Sequence, residues 1–274
     1  MYITKASGER AKFNPLKIRR TCLRAGADRY LARKIERLVS AQVREGMSTR
    51  KILLLIIGLL GKLSPLVSSR YALKEAMLGL GPAGFVFEKF IVLLLKAYNY
   101  QAHCPPILMG RCVKHEIDVV ATIDSFDHKK KEKYLIECKY HNAPGIKTDL
   151  QDTLCLWARF DDFRGKGFDY PWLISNTKFS KSAIQYANCR NIKLLGWQYP
   201  LEKSLNFLVE EKKIYPITIL KHLDKVTAEK LFSQNVILAS QLLSQKIEKL
   251  SSRTGIPKNK LKKLIKEARL ILEN

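Results

Sequence analysis

The run Tyr134-Leu135-Ile136-Glu137-Cys138-Lys139-Tyr140 sets two charges, Glu137 and Lys139, inside an otherwise apolar and aromatic segment. Its residue types favour an extended strand. Glu137 and Lys139 are two residues apart, so they leave one face of that strand together. Charges embedded in an apolar strand are costly unless they are paired or used. A second strand-like run, Val113–Ile123, lies upstream and contains His115-Glu116-Ile117-Asp118. The polar loop 124–132 separates it from a strand read over Lys133–Tyr140. If the two strands are antiparallel about a loop centred near residue 128, Asp118 falls roughly opposite Glu137. Two carboxylates and a lysine then converge on one small area.

Opposed carboxylates repel each other unless a cation sits between them. Mg²⁺ or Mn²⁺ suits such a place, because a hard cation takes carboxylate oxygens and keeps waters for the substrate. A bound divalent ion lowers the pKa of its water and stabilises charge on a reacting phosphate. A neighbouring lysine can orient the attacking water or neutralise the developing charge. The plainer alternative is an edge-strand aspartate beside a surface Glu-x-Lys pair.

Charge supplies the partner. The 274 residues include 49 Lys and Arg against 25 Asp and Glu, a net +24. Such a chain attracts polyanions, with nucleic acid first through phosphate neutralisation and an anionic membrane surface second. A merely solvated surface is the third possibility. Residues 1–80 carry net +12, 81–200 net +5 and 201–274 net +7, and the centre holds nearly half of the acids. A basic protein with its carboxylates gathered centrally is what a metal-dependent enzyme acting on a polyanion needs. The apolar fraction of 46% excludes a wholly disordered chain. The longest apolar run, Ile52 to Leu60, is too short to span a bilayer, and no cleavable leader is expected at Met1. Six scattered cysteines without a C-x-x-C pair argue against a disulfide framework or zinc and for a reducing cytosol, so a cytoplasmic location is expected.

Working outward, the N-terminus predicts a β-hairpin, Tyr2–Lys5 and Arg10–Phe13 about a Ser7-Gly8 turn. Asn14-Pro15 starts a helix that ends near Gly26. Asp28 caps a second helix with Leu31, Ile35, Leu38 and Val39 inward, and Ser48 a third over Thr49–Lys62. A fourth covers Ser69–Leu80, and Gly79-Leu80-Gly81-Pro82-Ala83-Gly84 forms the next boundary. Beyond it come a helix over Phe85–Tyr100, the two strands, and a helix over Thr148–Phe163 with Leu150, Leu154, Trp157 and Phe160 inward. A strand at Tyr170–Ser175, a helix at Ser180–Cys189 and a strand at Ile192–Trp197 follow. Alternating strands and helices give an α/β domain with a mixed sheet flanked by helices. The tail predicts two helix–turn–helix units, Leu231–Leu243 and Ile247–Leu272, the second turning at Thr254-Gly255-Ile256-Pro257.

Glu88, then His115-Glu116-Ile117-Asp118, then Glu137-Cys138-Lys139 resemble the PD-(D/E)xK nuclease superfamily, and most of all its Mrr-like restriction endonuclease branch. The resemblance covers about residues 81–200 and extends through Trp172–Ser180 and Ile192–Leu195. It implies a restriction-endonuclease-like fold with Asp118 and Glu137 as metal ligands and Lys139 as the catalytic lysine. Glu88 is implied as a helix-borne acid and the Cys138 carbonyl as a further ligand. Position 137 is Glu where many Mrr-like proteins have Gln, so this chain follows the carboxylate version. His115, His141 and Gln151 flank the site, and Lys129-Lys130-Lys131 could hold phosphates or simply be solvated.

Residues 1–80 resemble an ATP-cone, on Ile3-Thr4-Lys5, Gly8, Phe13–Ile18, Gly46-Met47-Ser48-Thr49 and Arg70–Leu73. That implies a small hairpin-plus-helices module sensing ATP or dATP, with Lys5 and Lys17 on phosphates and Asn14 and Thr49 beside the nucleotide. A module used for DNA contact or dimerisation is the alternative. Within residues 201–274, Ser251–Pro257 followed by Lys258, Lys260, Lys262, Lys263 and Lys266 is similar to a helix-hairpin-helix, a DNA-gripping element. The expected protein is a Mg²⁺- or Mn²⁺-dependent DNA endonuclease in restriction or defence. Its partners are DNA and an adenine nucleotide, with no membrane, and a homodimer suits double-strand cleavage. The alternatives are a repair or junction-cleaving nuclease and a non-catalytic nucleotide-responsive regulator.

Overall fold

The computed structural model describes residues 1–5, 9–81, 84–125, 130–143 and 145–273. The chain divides into two compact units, Met1–Ala76 and Met77–Asn274.

In the first unit, β1 (Tyr2–Thr4) pairs antiparallel with β2 (Arg10–Lys12). The anticipated Ser7-Gly8 turn lies outside the described residues. Helices α1 (Pro15–Arg24), α2 (Arg29–Gln42), α3 (Thr49–Leu63) and α4 (Pro65–Leu78) follow, the last ending in the second unit. Their starts are chemical. Asn14 accepts from Leu16 N at 3.0 Å with Pro15 in the first turn, Asp28 from Leu31 N at 2.7 Å, and Ser48 from Lys51 N at 3.3 Å. Ile18, Cys22, Ala32, Ile35, Val39, Ile56 and Leu60 make the core. Two expectations are corrected. Leu38 is 36% exposed, because it lies one position off the Ala32–Ile35–Val39 stripe. The fourth helix begins at Pro65 rather than Ser69, since proline fits a first helical turn.

The second unit is built on a five-stranded sheet. Its helix α5 (Phe85–Ala97) buries Phe87, Phe90, Ile91, Leu94 and Leu95. Next come β3 (Gln101–His103) and a small hairpin of β4 (Leu108–Met109) and β5 (Lys114–His115). They are followed by β6 (Val119–Asp124), β7 (Lys131–Lys139), β8 (Lys147–Thr148) and α6 (Leu150–Asp162). The domain continues with β9 (Tyr170–Ser175), β10 (Lys178–Phe179), α7 (Lys181–Arg190) and β11 (Lys193–Leu195). The sheet order is β11-β9-β7-β6-β3, with β7, β9 and β11 parallel and β6 and β3 antiparallel to their neighbours. α5 packs on β3 and β6, whereas α6 and α7 pack on β9 and β11. Leu135, Leu173 and Val120 of the sheet meet Leu156 of α6 and Ala183 of α7 in one cluster.

The Val113–Ile123 run is not one strand. Lys114 and His115 belong to the β4–β5 hairpin, and the sheet strand starts at Val119. The connecting loop is shorter than expected, since Asp124 pairs with Lys131, and its tip, including Lys129, lies outside the described residues. β3 directly follows the expected Phe85–Tyr100 helix, in a stretch where the sequence suggested no element. On α6 Thr153 and Leu156 are buried, Trp157 and Phe160 pack partly buried against the same cluster as expected, and Leu154 is 43% exposed, because the sheet meets a face rotated from the Leu150–Leu154 line.

The tail holds α8 (Leu205–Glu211), α9 (Lys225–Ser233), α10 (Ala239–Leu243), α11 (Ile247–Thr254) and α12 (Lys258–Glu273). Leu231, Leu242, Leu250, Leu261 and Leu264 are buried there. Lys89 of α5 donates to Asn235 Oδ1 at 2.7 Å, tying the tail to the sheet domain. The expected turn at 254–257 is present, with Gly255 left-handed at φ +64°. Asn235 also adopts φ +57°, where asparagine replaces glycine at tolerable cost.

Candidate active site

The β6–β7 register runs Val119 to Ile136, so Asp118, just before β6, faces Glu137 across the ladder. The Cys138 amide donates to Asp118 Oδ2 at 2.7 Å. Glu137 and Lys139 leave the face that carries Leu135, at the end of the apolar cluster. Lys139 Nζ lies 3.0 Å from Glu137 Oε1.

Helix α6 supplies two partners that the sequence reading missed. Arg159 is ion-paired to Glu137, and Asp152 lies 3.7 Å from Lys139 Nζ. Asp152 and Arg159 are seven residues apart and flank buried Leu156, so they share its sheet-facing side. That spacing was the available signal. Gln151, expected to flank the site, is exposed. Asp152 also accepts from the Asp149 amide at 3.0 Å in a capping box, so the start of α6 and Lys139 are held by one side chain.

Burial and the nearby charge of Glu137 push the Asp118 carboxyl up to about 7, against the Cys138 amide and with Glu88 adding to the rise. Glu88 of α5 is raised by burial, then by Glu116 and Glu137. These three acids therefore lie within electrostatic reach of one another. Burial pulls the Lys139 ammonium toward neutrality, but its hydrogen bond to Glu137 and the charges of Glu137 and Asp152 outweigh this and hold its pKa above the ordinary value. These partners hold Lys139 as a cation.

Among the described residues, no three His, Cys, Asp or Glu side chains converge into a group that could hold a metal. The hard-oxygen groups here are the carboxylates of Asp118 and Glu137; Lys139 and Arg159 engage the two oxygens of Glu137, and the Cys138 amide engages Asp118 Oδ2. Mg²⁺ fits such a pair, needing only one or two carboxylates and keeping its waters.

The flanking histidines have structural partners. His115 Nε2 lies 2.8 Å from Asp162 Oδ2, and the His141 ring 3.2 Å from Thr148 Oγ1. Asp162 also accepts from the amides of Cys112 and Val113 at 2.8 and 3.2 Å, fastening the β4–β5 hairpin to α6. A Cβ at Gly110 would collide with that carboxylate, so only glycine fits.

In the first unit, Lys5 is ion-paired to Glu9 at 2.9 Å, Asn14 caps α1, Lys17 is exposed, and Thr49 opens α3. An isolated bridge joins Thr4 to Ser48, the residues that precede Lys5 and Thr49.

Residues 83–198 match the family model described as restriction endonuclease, and residues 215–272 match the C-terminal model of the AF1548-like proteins. The fold and this match define a restriction-endonuclease-like domain, a nuclease acting on DNA. A 179-residue stretch, 65% of this chain, is 38% identical to an uncharacterized protein of Archaeoglobus fulgidus and spans 98% of it. The crystal structure of AF1548, a protein of unknown function, superposes with a TM-score of 0.61 at 36% identity, over 70% of this chain and all of that one. The chain belongs to the AF1548-like family of restriction-endonuclease-like proteins. Among the described residues, no helix is long and apolar enough to cross a membrane.

Proposed function

We propose that this protein is a divalent-metal-dependent DNA endonuclease. The observation that carries this reading is the placement of Asp118 opposite Glu137, with Lys139 3.0 Å from Glu137 on the same face. Asp118, Glu137 and the Cys138 carbonyl would hold Mg²⁺ or Mn²⁺. The metal, when bound, supplies an activated water and charge stabilisation at phosphorus. Lys139, held cationic, neutralises charge developing on the phosphate and orients the attacking water. Glu88 positions that water or the metal from α5.

The exposed lysines 258, 262, 263 and 266 on α12, behind the Gly255 turn, grip DNA phosphates. The first unit is an ATP-cone-like module that senses ATP or dATP through Lys5, Asn14, Lys17 and Thr49. The setting is cytoplasmic restriction of foreign DNA, with a homodimer making double-strand breaks.

Plasmid nicking in Mg²⁺ or Mn²⁺ against EDTA, with and without ATP or dATP, tests the reading. Asp118→Ala and Glu137→Ala should abolish cleavage and leave DNA binding intact or tighter, because a repelling carboxylate is gone. Lys139→Ala should keep Mn²⁺ binding and lose about 10²–10⁴-fold in rate. Wild-type cleavage in any of these variants would sink the assignment.

A further inference from the structure

On the opposite face of the sheet from Glu137 and Lys139 lies an open cavity of about 740 Å³, bounded by the end of α5, by β9 and β11, and by α8. The register fixes this separation. Trp172 and Lys193 pair with each other, and Trp172 with Ile136, so they leave the α5 face. The volume lies within the range of ligand clefts.

Its lining has two chemistries. Tyr98, Tyr100, Trp172, Tyr199 and Phe207 provide aromatic surface, with Tyr100 and Trp172 in ring contact at 5.8 Å. Lys193, Lys203 and Lys212 provide cations against the single carboxylate of Glu211. Glu211 accepts a hydrogen bond of 2.5 Å from Tyr98 Oη, so its charge is already engaged within the wall. Lys193 Nζ donates to Tyr134 Oη at 2.6 Å and lies 4.4 and 4.7 Å from the centroids of the Tyr134 and Tyr170 rings, which stand beside the cavity rather than in its lining. Burial there lowers its pKa, a cost that an anionic ligand would offset.

From this pairing of an aromatic floor with a lysine rim, we infer that the cavity is a nucleotide site, taking a planar base against the rings and a phosphate against the lysines. Base stacking on aromatic side chains is sequence-tolerant, because every base has a π-face. The same chemistry could arrive as a free mononucleotide or as the end of a DNA strand. The cavity faces away from the carboxylates, so the site is separate from cleavage and does not depend on the nuclease assignment.

Calorimetric titration of the full-length chain with AMP, with a single-stranded tetranucleotide and with inorganic phosphate tests this inference. Binding of AMP or the tetranucleotide is expected. Phe207→Ser, at a 42% exposed position, and Lys193→Met should each weaken it at least about tenfold. Thermal unfolding should stay near that of the parent. A preference for AMP marks an effector site, and a preference for the tetranucleotide marks a seat for a strand end; both support the inference. No binding of either, binding unchanged in both variants, or phosphate alone binding as tightly would overturn it.

Discussion

Asp118 is the residue at which burial and charge meet. Its carboxyl is pushed up to about 7 by burial and by Glu137. The unfolded chain releases that proton near pH 4, whereas the folded chain retains it to about pH 7. Metal-free stability therefore falls as pH rises between these values and is level above them. Asp118→Asn removes the titration and retains a carbonyl oxygen for the Cys138 amide. In urea unfolding with EDTA at pH 8 it should be more stable than the parent by about 2–4 kcal/mol, with the gap closing by pH 4. The neighbouring Arg159 yields an opposed pair of effects. Arg159→Met leaves Glu137 only Lys139 and should cost about 1.5–3 kcal/mol. The same change removes a cation that competes for Glu137, so calorimetry should show tighter Mn²⁺ binding. Weaker Mn²⁺ binding would mean that Arg159 supports the metal site instead.

At the scale of elements, the tail is part of a packed unit rather than a detachable arm. Leu250, Leu261 and Leu264 are buried between α11, α12 and their neighbours, and Lys260 is ion-paired to Asp224 at the cap of α9. Removing α9 to α12 would therefore disturb the fold along with any DNA contact. Charge substitution is the cleaner probe. Lys258, Lys262 and Lys263 are exposed on α12, and replacing all three with Gln should leave thermal unfolding nearly unchanged. If they meet duplex phosphates, the slope of log affinity against log salt should become shallower by about 2–3. An unchanged slope would place the DNA elsewhere.

For the whole molecule, the division at Ala76 and Met77 is the main organising fact. Both matched family segments, 83–198 and 215–272, lie in the second unit. Met77 and Leu78 are tied there as well, their carbonyls accepting from Asn176 Nδ2 and Tyr140 Oη. A fragment of residues 77–274 should fold alone and melt in a single cooperative transition that circular dichroism can follow. It should also keep cleavage while losing any response to ATP or dATP. Two transitions, or an aggregated fragment, would show that the first unit is needed for folding.

The sequence by itself determined the β6–β7 hairpin and the facing of Asp118 and Glu137. Both follow from local facts: a period of two and a short polar loop fix which residues oppose each other. The caps Asn14, Asp28 and Ser48 were legible for the same reason, since each satisfies amides within its own first turn. Asp152 and Arg159 were not legible, because the face of α6 that carries them is chosen by where the sheet lies. β3 was hidden likewise, as three residues become a strand only when β6 offers a partner. The aromatic cavity joins side chains from α5, β9, β11 and α8, which are distant along the chain. Only the tertiary structure decided these features, because each depends on surfaces that exist only once separate segments have packed.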